Sequence, residues 1–220
     1  LESSYQEDIA RSTAEELADG EVIGWFQGAA EFGPRALGNR SILADPRKEW
    51  MKDHVNARVK HRQGFRPFAP AVLAERASDI FEGDHESPYM LMAQKVRPEW
   101  IDRIHSIVHA DGTARVQTVH KEVNPRFHAL ISSFDEITGV PVLLNTSFNI
   151  RGEPIVETPF NAMDCFLFTG IDVLVIHDMM YSKRWTYNSL FPLIKFMADT
   201  RSNLRAQQMM NNFAEKALDS

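Results

Sequence analysis

NPRFHALISSFDEITGVPVLLN, residues 124–145, states a fold class in a single line. Asn124 followed by Pro125 marks a helix start: a short amide to cap free backbone N–H groups, then a proline whose absent donor is not missed in a first turn. Gly139 is a helix stop, and PVLLN (141–145) is an apolar run of strand length. The pattern then repeats. Thr158-Pro159 opens a second helix that Gly170 stops, and DVLVIH (172–177) reads as another buried strand. Helices alternating with buried strands predict an α/β domain.

The same signals extend upstream. Residues 4–19 predict a helix, with Tyr5, Ile9, Thr13 and Leu17 at steps of four and Gly20 beyond its end, and EVIGWFQG (21–28) predicts a buried strand. After the short apolar SILA, Asp45 as N-cap and Pro46 behind it predict a helix with a stripe of Met51, Val55 and Val59, ending near Lys60. FRPFAPAVL (65–73) carries Pro67 and Pro70, so an edge or irregular strand is expected. VHADGTARVQTV (108–119) has Asp111-Gly112 between alternating segments, the pattern of a tight hairpin. Hairpin and crossovers together predict a twisted mixed sheet flanked by helices. Beyond Trp185 the pattern loosens. Residues 188–218 read as a peripheral helical tail, one or two helices packed on this domain or on another.

The chain has 220 residues, 44% of them hydrophobic, enough for one cored domain with an appendage. The expected division is a lead-in helix or linker at 1–20, a domain at 21–184 and the helical extension at 185–220. Because the sequence starts at Leu1 rather than Met, it is expected to be a fragment of something longer, with a domain ahead of it. Cys165 is the only cysteine, so neither a disulfide framework nor a zinc knuckle can form. No apolar run approaches a bilayer span, and no signal sequence opens the chain. A soluble cytoplasmic protein with no membrane partner is the expectation.

Charge is informative where it is localised. The net charge is −6, which argues against a general nucleic-acid-binding surface. Residues 31–66 nevertheless hold nine basic and four acidic side chains, leaving fifteen basic and twenty-six acidic elsewhere. Cations focused on one segment suit a compact, multiply charged anion.

Three clusters carry the chemistry. EFGPRALGNRS (31–41) follows a strand and sets Arg35 and Arg40, two forks able to hold phosphate, among glycines that would leave backbone amides open. It is neither a Walker loop nor a dinucleotide loop. A turn with solvent-exposed arginines is the alternative reading. VKHRQGFRPFAP (59–70) crowds Lys60, His61, Arg62 and Arg66 around Gly64; helix-dipole complementation accounts for Arg58 and Lys60 but not for Arg66 between rigid neighbours. In PVLLNTSFNIRGEPIVETP (141–159), Asn145, Thr146, Ser147, Asn149 and Arg151 follow the end of a buried strand, where α/β sheets bind ligands. Any one of these polar residues could instead satisfy its own backbone. His105, His109, His120 and His128 lack metal-ligand spacing and read as surface or core histidines.

Together, GPRALGNRSI, the K-H-R-x-x-x-R-P-F-A-P run and LLNTSFNxxGEPI resemble the C-terminal domain of the NodU/CmcH-type O-carbamoyltransferases, which decorate Nod factors, cephems and aminoglycosides. The resemblance spans roughly residues 20–180. It implies a YrdC-like fold, whose other members make carbamoyl- or threonylcarbamoyl-adenylate from ATP. It also implies a reaction: carbamoyl phosphate and magnesium-bound ATP form carbamoyl adenylate, and an N-terminal, metal-carrying domain of actin-like ATPase fold transfers the carbamoyl group to a hydroxyl. That partner domain lies outside this chain. On the resemblance, Arg35, Lys60 and Arg66 hold carbamoyl phosphate and the nucleotide phosphates, Ser147 is the phosphate-loop serine, and Arg115 contacts ATP. Asn145, Asn149 and Arg151 stand beside them as nucleotide-binding candidates, with Arg40 joining on its own chemistry. Two other functions fit the same motifs: a threonylcarbamoyl-adenylate synthase for tRNA modification, which calls for a basic groove, and a non-catalytic nucleotide-binding or docking module.

Overall fold

The structure, a computed structural model, describes residues 1–83 and 86–183; the expected helical tail lies outside the described residues. In chain order the elements are β1 (Glu2–Tyr5), α1 (Ile9–Asp19), β2 (Ile23–Phe26), β3 (Arg40–Ala44), α2 (Met51–His54) continued by a π-helical turn (Val55–Val59), and β4 (Ala69–Leu73). There follow α3 (Ala77–Ile80), β5 (Phe81–Glu82), β6 (Ala93–Val96), α4 (Pro98–Ile101), β7 (Thr113–Arg115) and β8 (Gln117–Val119). The last are α5 (Pro125–Thr138), β9 (Val142–Ser147), α6 (Pro159–Leu167), β10 (Val173–Ile176) and β11 (Met179–Ser182).

Eight strands form the main sheet in the order β1-β11-β10-β2-β3-β9-β4-β8. It is mixed: β10 runs parallel to β2 and β4 to β8, while the remaining pairs are antiparallel. A second sheet, β5-β6-β7, is small and antiparallel. Helices α1 and α5 pack on each other; α5 also meets β4 and β9, and α6 meets β2 and β10. Between sheet and helices lies one continuous core, with Trp25, Phe127, Phe134, Phe148 and Phe166 fully buried.

The strongest sequence signals reappear as atoms. The Asn124 side chain accepts from the Phe127 amide and Gly139 ends α5 with φ +69°. Thr158 and Asn161 form a reciprocal capping box at the start of α6. Elsewhere the local reading is corrected. Residues 4–19 are not one helix: Glu2–Tyr5 pair with β11, and the helix begins only after Asp8, whose carboxylate caps Arg11 N–H. The segment expected as lead-in or linker thus contributes a strand and a core helix. Asp45 does not cap α2; its buried carboxylate instead accepts from Arg47 N–H and its guanidinium, closing a turn that delays the helix to Met51.

β4 is not an edge strand, since β9 and β8 flank it; Pro70 sits at the strand's opening, one residue before pairing with β8 begins, where a missing donor is tolerated. The predicted hairpin is a tight turn only. Gly112 N–H bonds to His109 O (2.9 Å), but β7 pairs with β6, and β8 crosses into the main sheet after Val116.

Where β2 connects to β3, Gly38 has φ +106°, and a Cβ there would lie 2.2 Å from the Phe127 ring. Gly38→Ala should therefore strain both backbone and core, lowering unfolding free energy by about 3 kcal/mol or more. Gly83, with φ +107° and open space around it, is the control: Gly83→Ala should cost about 1 kcal/mol. Denaturant unfolding of both variants checks the difference.

Candidate functional site

The β2–β3 connection is a loop folded around its own acid. Glu31 Oε1 accepts from the backbone N–H groups of Leu37 (2.7 Å), Asn39 (2.8 Å) and Arg40 (3.2 Å). The expectation of open amides ready for a phosphate fails at these three positions, because a carboxylate of the chain already fills them. Arg40 is also drawn inward. Its guanidinium lies 3.5 Å from the centre of the Phe26 ring, its cross-strand neighbour, and donates to the carbonyls of Gln27, Asn39, Gly28 and Glu157. With four carbonyls holding it and only 4% exposed, Arg40 braces the loop rather than forking a phosphate.

Two further side chains hold the loop from behind. Asn145, on β9, donates to Ala36 O (3.2 Å) and Gln117 Oε1 (2.8 Å), while Gln117 donates to Leu37 O (2.8 Å). The loop carrying Arg35 is thereby tied to β8 and β9. Arg35 itself is exposed, with no hydrogen bond or ion pair among the described residues.

Lys60 follows the π-helical turn, its own N–H bonding to Val55 O (2.9 Å), and its side chain is 4% exposed. Nζ donates to Ser147 O and Oγ and to Asn149 O (3.0 Å) and Oδ1 (2.9 Å). Ser147 Oγ donates in turn to Asn149 Oδ1 (2.7 Å), and Asn149 Nδ2 to Glu153 O (2.8 Å). Lys60, Ser147 and Asn149 are therefore one assembly. Burial pushes the Lys60 ammonium down to about 7; the Cys165 thiol opposes the shift and Arg62 adds to it. The same burial pushes Cys165 up to about 12, leaving it inert as a nucleophile.

The remaining cations line the front. Buried Asn56 donates to Gly64 O and Arg66 O, shaping the 61–66 loop, and accepts from Arg62 Nε (2.7 Å), whose guanidinium also covers Phe68. Arg66 is exposed and close enough to lower the proton affinity of Arg62, after burial. Arg115, at the end of β7, is lowered first by burial and then by Arg35. Its Nε is buried with no partner, and no acid pairs with it among the described residues. Arg35 and Arg115 thus lie within electrostatic reach of each other across some eighty residues of sequence. Exposed Arg151 makes no side-chain contact that joins it to either group.

Arg62 and Gln117 were legible only as charge or as strand. Glu31 gave no local signal of its role. Among the described residues no three His, Cys, Asp or Glu side chains are placed to hold a metal ion, and no helix is long and apolar enough to cross a membrane.

Comparison with known proteins matches this geometry to a family. Residues 14–183 fit the family described as carbamoyltransferase C-terminus. Nodulation protein NolNO of Sinorhizobium fredii is 50% identical over 187 residues, covering 84% of this chain and 28% of that protein. A 3'-hydroxymethylcephem-O-carbamoyltransferase of Amycolatopsis lactamdurans is 40% identical over 167 residues, covering 76% of this chain and 32% of that enzyme. The chain therefore spans about a third of the length of these relatives. Full-length HypF, in its phosphate- and nucleotide-bound crystal form, superposes with a TM-score of 0.55 at 15% identity, over 83% of this chain and 22% of HypF. That likeness is one of fold, the YrdC-like arrangement that the motifs implied. By the extent of the family match and the identity to its relatives, this chain belongs to the carbamoyltransferase C-terminal family.

Proposed function

We propose that this domain binds carbamoyl phosphate and magnesium-bound ATP, forms carbamoyl adenylate, and passes it to an N-terminal domain that carbamoylates a hydroxyl. The observation that carries the reading is the juxtaposition of Arg35 and Arg115. The two guanidinium groups lie within electrostatic reach of each other, neither is paired with an acid among the described residues, and Arg115 has a buried, unsatisfied nitrogen. Like charges held together cost stability unless an anion completes them.

The chemistry fits such a site. Water takes up the phosphoryl group of carbamoyl phosphate, releasing carbamate and phosphate; a carbamate oxygen then attacks the α-phosphorus of ATP as its bond to pyrophosphate breaks. The first step develops charge on a phosphoryl group and the second brings two anions together, so fixed cations that need no rearrangement lower both barriers. Arg35, Arg66 and Arg115 would meet phosphate oxygens directly. Lys60 acts from beneath, fixing Ser147 and Asn149, which with Arg151 border the nucleotide; Asn145 and Arg40 hold the loop that carries Arg35. The magnesium of ATP shares the charge of the phosphates.

Arg115→Ala should weaken ATP and carbamoyl phosphate binding by about tenfold or more in calorimetric titration, with unfolding free energy unchanged or raised, because a half-buried cation with an unpaired buried nitrogen is removed. Unchanged affinity for both ligands would contradict the assignment. Arg35→Ala should likewise weaken both, with no effect on thermal stability beyond about 0.5 kcal/mol.

Lys60→Met should cost about 2 to 4 kcal/mol of stability, since four oxygens lose their donor. The pH dependence has a definite sign. Lys60 titrates near 7 in the fold and at 10.5 when unperturbed, so between these values the unfolded chain binds the extra proton and stability rises with pH. The stability difference between wild type and Lys60→Met, measured by denaturant unfolding, should therefore be larger at pH 9 than at pH 7.

A further inference from the structure

The turn between His109 and Thr113 contains a relay outside the machinery described so far. Thr113 Oγ1 donates to Asp111 Oδ1 (2.7 Å), which also accepts the Thr113 amide (3.0 Å). His109 Nδ1 lies 3.1 Å from the same threonine oxygen. The backbone locks the arrangement, with His109 N–H bonded to Thr113 O (2.8 Å) and Gly112 N–H to His109 O (2.9 Å).

Proton accounting then fixes the ring. A threonine hydroxyl has one hydrogen, and a carboxylate can only accept. With that hydrogen directed at Asp111, Thr113 Oγ1 must accept from His109, so Nδ1 carries the proton. Nε2 makes no hydrogen bond among the described residues and is not sealed from solvent. The charged groups within electrostatic reach of the ring are Asp111 in its own turn, Arg115 on β7 and Lys52 on α2. Burial lowers the His109 pKa, Asp111 opposes the shift, and the two cations deepen it. The ring is therefore neutral at pH 7, and Nε2 presents a lone pair.

That lone pair is chemically out of place in its surroundings. Lys52, Arg115 and, beyond it, Arg35 are pure donors, suited to anionic oxygens. A ligand bearing only such oxygens leaves Nε2 unused. One bearing an N–H beside its phosphate uses both.

We propose that His109 Nε2 accepts a hydrogen bond from the amide of the carbamoyl group and so selects carbamoyl phosphate over phosphate esters and anhydrides that lack this donor. This rests on the function proposed above. A polar site built around a donor on its ligand discriminates against the analogue without one, because its own acceptor is left dry. Acetyl phosphate, with a methyl group where carbamoyl phosphate has NH₂, is the matching probe.

The test is calorimetric titration of the chain with carbamoyl phosphate and with acetyl phosphate, for wild type, His109→Ala and Thr113→Val. Wild type should prefer carbamoyl phosphate by about tenfold, the worth of one well-made hydrogen bond. His109→Ala should abolish the preference by weakening carbamoyl phosphate while acetyl phosphate stays within about twofold. Thr113→Val, which frees the tautomer without touching Nε2, should retain part of the preference. ¹⁵N spectra of wild type should place the His109 proton on Nδ1 at pH 7, and the preference should fade as acid protonates Nε2. A preference that survives His109→Ala, a parallel loss of both ligands, or a proton on Nε2 would overturn the assignment. Wild type that binds both phosphates equally would sink this inference alone, whereas wild type that binds neither ATP nor carbamoyl phosphate would sink the proposed function with it.

Discussion

A lysine ammonium taken out of water must be given oxygens, and the ends of two elements in this domain are arranged around that requirement. Lys60, at the close of a π-helical turn, reaches four acceptors from Ser147 and Asn149 at the end of β9. Among the described residues no carboxylate neutralises it, so the oxygen dipoles must hold it and burial still pulls its proton affinity down. The consequence is positional. The 61–66 loop and the 147–153 turn are set against each other by a single buried charge, and both border the cation-rich face.

Behind that face the polar side chains are drawn into hydrogen bonds with the loop and the sheet; in front of it the arginines are not. Glu31 occupies three loop amides, Arg40 four carbonyls, and Asn145 with Gln117 ties the loop to the sheet. These contacts fix where Arg35 stands. Arg35 and Arg66 are exposed and Arg115 is half-buried, with no acid to meet them among the described residues, an arrangement that costs stability and that the proposed function explains by a bound anion. The division follows burial, not residue type: Arg40 and Arg35 belong to one loop, the first buried against carbonyls and the second exposed.

That division was hidden in the sequence, whereas much of the fold was not. Asn124, Thr158 and Gly139 act on backbone groups within a few residues, so their caps and stops are written locally. What failed was non-local. Asp111-Gly112 makes its turn, but β7 finds β6 rather than the preceding segment, and Pro70 enters a flanked strand because pairing with β8 begins one residue later. The arginines and lysine were visible as charge, and their outward or inward aim was not: Arg40 turns in because register places it over Phe26. His109 looked like one scattered histidine among four; only the closed turn reveals its fixed tautomer, although the His-x-Asp-Gly-Thr spacing held the signal.

On the proposed function, these cations assemble an adenylate from two anions. Pyrophosphate release by the chain, supplied with magnesium-bound ATP at saturation and with or without carbamoyl phosphate, tests it directly. The account predicts release that depends on carbamoyl phosphate and falls away in Arg115→Ala. Release indifferent to carbamoyl phosphate, or none at all with both ligands bound, would contradict it.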